Sequence, residues 1–313
     1  LARRPVAGVE DIGGWRDASR VFLQGAQRVF VPSEDALRRF GRYFPEVRLT
    51  LGCHEPALAA QPAVAPSMAQ GEPLRVLVLG ALSVFKGADV LEQAALAARG
   101  RRLPLEFHLL GYAYRPLRTR PVAALKVHGA YRDEELQERM AEIRPHVVWF
   151  AGSCPETWSY TLSSTLAAGL PVVAPAIGAF PERLAGRGWS WLIPVDCPLD
   201  ALLEQLLAVR GALLDGQAPQ ALPAAQAVAC FEYAGEYAQD VAAAQDGESD
   251  WPVVVRQWLQ LPAATAQPVL LAHVHPQWLR ALLVFALKRG WLGAINARIP
   301  PALRQAVKAR ITR

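Results

Sequence analysis

With 313 residues, 52% of them hydrophobic and 19% charged, the chain has the composition of a folded globular protein with one large core or two moderate ones, and a disordered class is excluded. A net charge of +5 and a pI near 9.2 suit phosphate-bearing ligands or an anionic membrane surface, the alternative being a solvated arginine-rich exterior. No recognition helix, zinc finger or RNA-binding signature is readable, so nucleic acid is not an expected partner, and the widely spaced Cys53, Cys154, Cys197 and Cys230 outline neither a zinc site nor a dense disulfide framework.

No signal peptide is readable and no apolar run reaches the ~20 residues that span a bilayer, so the reducing cytoplasm is the expected compartment. The chain starts at Leu1 without an initiator methionine, which leads us to expect sequence upstream of it. In chain order, a short helix is expected around residues 15–26, then a buried strand RVFVPS (28–33), a helix from Ser33 to about Phe44 and a strand VRLTLG (47–52). These look like the closing elements of an α/β domain. Residues 55–73 are rich in proline and alanine and read as a linker.

From Leu74 apolar strands alternate with amphipathic helices, the pattern of a parallel sheet covered on both faces. Strands are predicted at 75–80, 105–111, 124–129, 146–151, 171–175 and 189–194, and helices at 87–98, 133–143, 161–168 and 179–185. Leu199, Leu202, Leu203, Leu206 and Leu207 form a helical stripe that closes a doubly wound domain. Beyond about Ala221 a helix with Phe231, Tyr233 and Tyr237, an acidic loop and a basic tryptophan-bearing tail (251–313) are expected. The tail segment LRALLVFALKRGW either packs on the protein or lies on anionic lipid.

Ligands of a doubly wound fold bind beyond the carboxyl ends of its strands, so the turns after each strand are where chemistry belongs. The first strand enters GALSVFKG, which sets Lys86 before a helix N-terminus, a place suited to a diphosphate or simply to a solvated cation. After strand HVVWFA come Pro155 and Glu156, then the polar run Thr157, Trp158, Ser159, Tyr160 and Thr161 at a helix entry, a set suited to sugar hydroxyls and phosphates. Basic clusters at Arg38, Arg39, Arg42 and at Arg115, Arg118, Arg120 are further candidates for phosphate or for solvent.

The stretch PETWSY to PVVA, with KG at 86–87 and HGAYRDEEL at 128–136, resembles the signature of the large retaining glycosyltransferase family 4 (glycosyl transferases group 1), over about residues 74–240. That resemblance implies a GT-B fold of two facing Rossmann-like domains and metal-independent transfer from a nucleotide sugar, with no cofactor, to a saccharide or lipid-linked acceptor. Glu156 would contact the donor sugar and Lys86 the diphosphate, whose distal phosphate would meet the amides of Ser159 to Thr161. Val127 and Tyr131 would lie by the nucleotide base, and Gly80 and Gly111 match turn glycines of the family. Two positions depart from the pattern: Ala81 replaces an arginine and Ser164 replaces the second glutamate, which weakens phosphate and ribose binding.

The expected organisation is therefore residues 1–57 as the end of an N-terminal acceptor domain, 58–73 as linker, 74–220 as donor domain, 221–250 as crossing helix and acidic loop, and 251–313 as tail. The family resemblance implies bacterial surface polysaccharide or O-antigen biosynthesis at the inner face of the membrane, with this chain alone binding donor but transferring almost none. A non-catalytic nucleotide-sugar-binding module in an assembly complex and a GT-B nucleotide-sugar epimerase are the alternatives.

Overall fold

The computed structural model describes residues 11–52 and 62–221, so the expected helix near Phe231 and the basic tail lie outside the described residues. Helix α1 (Ile12–Gly25) begins where the Asp11 carboxylate accepts from Gly14 N at 2.8 Å. Next come β1 (Val29–Val31), α2 (Glu34–Tyr43) and β2 (Leu49–Leu51), the two strands pairing in parallel. Ser33 caps α2: it is buried, and its hydroxyl accepts from Ala36 N at 3.2 Å, as a serine before an amphipathic run predicts.

A six-stranded parallel sheet follows, built from β3 (Leu74–Leu82), β4 (Leu105–Ala113), β5 (Leu125–Gly129), β6 (Val147–Trp149), β7 (Val172–Pro175) and β8 (Ser190–Ile193). Its order is β5-β4-β3-β6-β7-β8, so the chain winds outward from β3, then returns to β3's other side at β6. This is the doubly wound, Rossmann-like arrangement, with a topological switch point between β3 and β6. The helices α3 (Ala88–Gly100), α4 (Leu136–Ile143), α5 (Tyr160–Ala167), α6 (Phe180–Arg183) and α7 (Leu199–Asp215) cover both faces. Elements β1 to α7 belong to one compact unit.

The near-continuous apolar runs of the strands have a simple cause. Val76, Val78, Phe107, Leu109 and Trp149 face α3 and α7, while the alternate residues Leu77, Leu79, Leu110 and Val148 pack under α4. Each such fully buried side chain contributes about 1.5–3 kcal/mol. The predicted stripe of the last helix is borne out for Leu202, Leu203 and Leu206, with Val209 and Leu213 completing it. At the amino end of the sheet, fully buried His146 accepts from Arg75 N at 3.0 Å through Nδ1, and burial holds its pKa down at about 4. Arg210 of α7 fastens residues 70–72 through the carbonyls of Gln70 and Glu72 at 2.6 and 2.9 Å.

Three expectations are corrected. Strands β3 and β4 do not stop at Gly80 and Gly111 but run on to Leu82 and Ala113, because the two glycines stay in register with each other and the ladder continues past them. The helix expected at 179–185 is the single turn α6, and the one expected from 133 opens as a 3-10 turn over Asp133–Glu135. Of the arginine clusters, Arg38, Arg39, Arg42, Arg118 and Arg120 are exposed, as the solvated reading expects, while Arg115 pairs with Asp89 and with Glu92, Arg120 pairs with Glu106 at 2.7 Å, and Arg38 and Arg39 both reach Asp35.

Candidate functional site

A cavity of about 270 Å³ opens at the switch point, where the ends of β3 and β6 diverge. The β3 side supplies Gly80, Ala81 and Lys86; the β6 side supplies Gly152, Cys154, Glu156, Ser159 and Thr161; Tyr131 and Phe180 complete the wall. Of the residues singled out from the sequence, Lys86, Glu156, Gly80, Ala81, Tyr131, Ser159 and Thr161 are thus brought together. Gly111 sits one strand away and allows the close pass of β4 over β3: a Cβ there would lie 2.0 Å from Gly80 O. Val127, Thr157, Trp158, Tyr160 and Ser164 do not line the cavity.

The β3–α3 turn is locally built. Ser83 Oγ accepts from Lys86 N at 3.2 Å, and Gly87 starts α3 with φ 81°. A Cβ at Gly87 would stand 2.1 Å from Ala151 O, so the chain needs glycine there on two counts. Lys86 then reaches across the cavity, its Nζ 3.5 Å from Glu156 Oε1, with 56% of the lysine and 32% of the carboxylate side chain exposed. A pair this exposed is worth roughly 0–1 kcal/mol and opens readily to a competing anion.

The β6–α5 turn carries the rest. Ser159 adopts φ 74°, unusual for a residue with a side chain, and caps α5 by accepting from Leu162 N. The first N–H groups of a helix lack intrahelical acceptors and form the positive end of its dipole, and α5 starts at this wall of the cavity. A cation, a helix N-terminus and a carboxylate in one cleft can neutralise a diphosphate and orient neutral hydroxyls. Burial raises the pKa of Tyr131, so its phenol stays a donor.

The β7–α6 turn contributes residues that the sequence reading passed over. Ala179 N donates to Glu156 O at 2.9 Å, and Gly178 (φ 65°) packs so tightly that a Cβ would come within 2.6 Å of Glu156 N. Arg183 donates to the carbonyls of Trp158 and Ser159 at 2.7 and 2.8 Å, and its guanidinium lies 3.8 Å from the Trp158 ring centre. Glu182 accepts from Glu34 N at 2.7 Å, joining α6 to the start of α2. The rule that every strand-end turn deserves inspection would have found this one. Ser164 turns its hydroxyl back to Tyr160 O at 3.3 Å. Among the described residues no group of three or more His, Cys, Asp or Glu is placed to hold a metal ion, and no helix is long and apolar enough to cross a membrane.

No protein-family model and no curated protein matches the chain. Among solved structures it is similar to sucrose-phosphate synthase from Thermosynechococcus elongatus, at 19% identity and a TM-score of 0.47 over 68% of this chain and 55% of that one. It is also similar to Anabaena HepE in complex with UDP and glucose, at 16% identity and a TM-score of 0.47 over 65% and 58% of the two chains. The pneumococcal O-GlcNAc transferase GtfA, in complex with UDP and GlcNAc, is matched at 16% identity and a TM-score of 0.43 over 64% and 40%. The chain thus spans little more than half, or less, of the chains it resembles.

Proposed function

We propose that this chain carries the donor-binding half of a retaining, family 4, GT-B glycosyltransferase that takes a nucleotide-activated sugar. One observation supports this above the others: Lys86, the start of α5 and Glu156 meet in a single cavity at the switch point. In the reaction the bond from the anomeric carbon to the phosphate oxygen breaks, the acceptor oxygen bonds to that carbon on the same face, and the acceptor's hydroxyl proton passes to the departing diphosphate. Negative charge grows on the departing diphosphate, and Lys86 with the α5 amides stabilises it. Glu156, its backbone held by Gly178 and Ala179, orients the sugar hydroxyls.

The acceptor is a saccharide or a lipid-linked one, as in surface polysaccharide assembly, and would be held mainly by an N-terminal domain of which residues 1–57 supply the closing elements. Calorimetric titration with UDP, GDP and dTDP and with the bare nucleosides tests the reading. A nucleoside diphosphate should bind, and Lys86→Ala should weaken it by about 10- to 100-fold, the worth of a hydrogen bond to a charged group, while leaving the nucleoside unchanged. Equal weakening of both ligands, or no binding of any, would count against the site.

A second reading, a nucleotide-sugar-binding module without transfer, is favoured by Ala81 on the cavity wall and by the Ser164 hydroxyl turned back to its own helix. Product analysis with and without acceptor separates transferase, module and epimerase.

A further inference from the structure

The strained turn that begins α5 has an unusual support. A serine at φ 74° and ψ 90° sits where residues with a Cβ are disfavoured, so something must hold it. The holder is on another element. Arg183 Nη1 binds the carbonyls of both Trp158 and Ser159, Nη2 binds Ser163 Oγ at 2.8 Å, and the guanidinium plane rests near the Trp158 ring. A planar fork reaches the carbonyls from one nitrogen and Ser163 from the other while stacking on the indole, a spread that the single nitrogen of an ammonium lacks.

The direction of these bonds matters. In a trans peptide the carbonyl and the following N–H point opposite ways. Fixing Trp158 O and Ser159 O towards Arg183 therefore turns the N–H groups of Ser159 and Tyr160 away from it. Arg183 does not line the cavity, whereas Ser159 and Thr161 do. Arg183 itself stands on a firm base: Phe180 is in the core and Ala179 is bonded to Glu156.

We infer that Arg183 is a positioning residue that clamps the Ser159 turn from behind and so aims the first amides of α5 at the bound phosphate. The inference rests on the proposed donor site, but the clamp can be tested without it. In the full chain, Arg183→Met should speed amide exchange at Leu162 and Ser163, which bond to Ser159 O, by about tenfold, in line with the loss of a charged hydrogen bond. It should weaken a nucleoside diphosphate by about tenfold and the bare nucleoside not at all.

Arg183→Lys should keep the charge and yet show the same defect. Adding Ser159→Gly to Arg183→Met should restore most of the diphosphate affinity, because glycine enters the left-handed region without a clamp. A structural role alone would not produce that rescue or a change selective for the phosphates. If Arg183→Met does not fold, Arg183→Lys with and without Ser159→Gly gives the same comparison. Full rescue by lysine, or no rescue by glycine, would overturn the inference. If the wild type binds no nucleotide, the donor reading fails and exchange alone decides: unchanged rates at Leu162 and Ser163 would refute the clamp, and faster rates reversed by Ser159→Gly would uphold it.

Discussion

The two turns that meet in the cavity solve one problem in different ways. Both need left-handed backbone at a helix start. The β3–α3 turn uses Gly87, at φ 81°, and is held mostly from within, through Ser83 and the bond from Gly87 N to Val84 O, with one bond from outside, Ser153 N to Phe85 O at 2.9 Å. The β6–α5 turn uses Ser159, at φ 74°, and takes its support from residues 178–183. The glycine needs no guanidinium to hold its conformation but brings no side chain of its own, and Lys86 beside it reaches the site instead. A serine turn gains a capping hydroxyl and depends on a second segment to hold its shape.

This contrast can be broken in several places. Gly87→Ala should have the largest effect, since its Cβ meets the Ala151 backbone and the conformation is disfavoured as well. A loss of about 3 kcal/mol or more is expected in the unfolding free energy from urea titration, and a loss below about 1 kcal/mol would show that the turn is not so confined. Glu156→Gln, assayed with donor and acceptor together, should lower turnover by on the order of a hundredfold while the unfolding midpoint stays put. Near-normal turnover would take Glu156 out of the site.

Acid should act away from both turns, at the buried imidazoles of the sheet. His108, hydrogen-bonded to Glu106 and His128 at 2.9 Å, and His146 have pKa values held at about 4, chiefly by burial. Their unfolded values lie near 6.5, so between that pH and about 4 the unfolded chain binds protons that the folded one refuses. Stability should therefore be full above pH 7 and fall by on the order of 4 kcal/mol by pH 5, about half from each histidine, and a flat profile of unfolding midpoints would refute this. The smallest effect concerns α2: Ser33→Ala should cost about 1 kcal/mol, as lost N-caps do. Combined with Glu182→Gln, the costs should exceed their sum, because the two side chains serve neighbouring amides of one helix start.

Much of the fold was legible in the chain. Apolar runs marked all six strands, Ser33 marked the start of α2, and the alternation predicted a covered parallel sheet. The ends of β3 and β4 were misjudged because Gly80 and Gly111 read as stops, whereas their pairing is made by backbone atoms that glycine also has. That Lys86 and Glu156 share a cleft was legible from their places after strand ends. Arg183 was not, because its partners are main-chain carbonyls 24 and 25 residues earlier, and backbone acceptors leave no mark on residue identity. The arginine clusters left two readings open for a related reason: what decides whether a guanidinium is paired is a carboxylate brought near by folding.

The bond between Glu182 and the start of α2 has a consequence for how the molecule is made. It joins positions 148 residues apart, so α2 is synthesised long before its partner carboxylate exists. At about 5–20 residues per second, the helix waits on the order of ten seconds or more with its leading amides served by solvent and Ser33 alone. During that interval the β1–β2 pair stands without its link to α6, and a two-stranded pair is marginal in water by itself. This segment is therefore made early and secured late, and its correct docking depends on a residue that the ribosome has yet to reach.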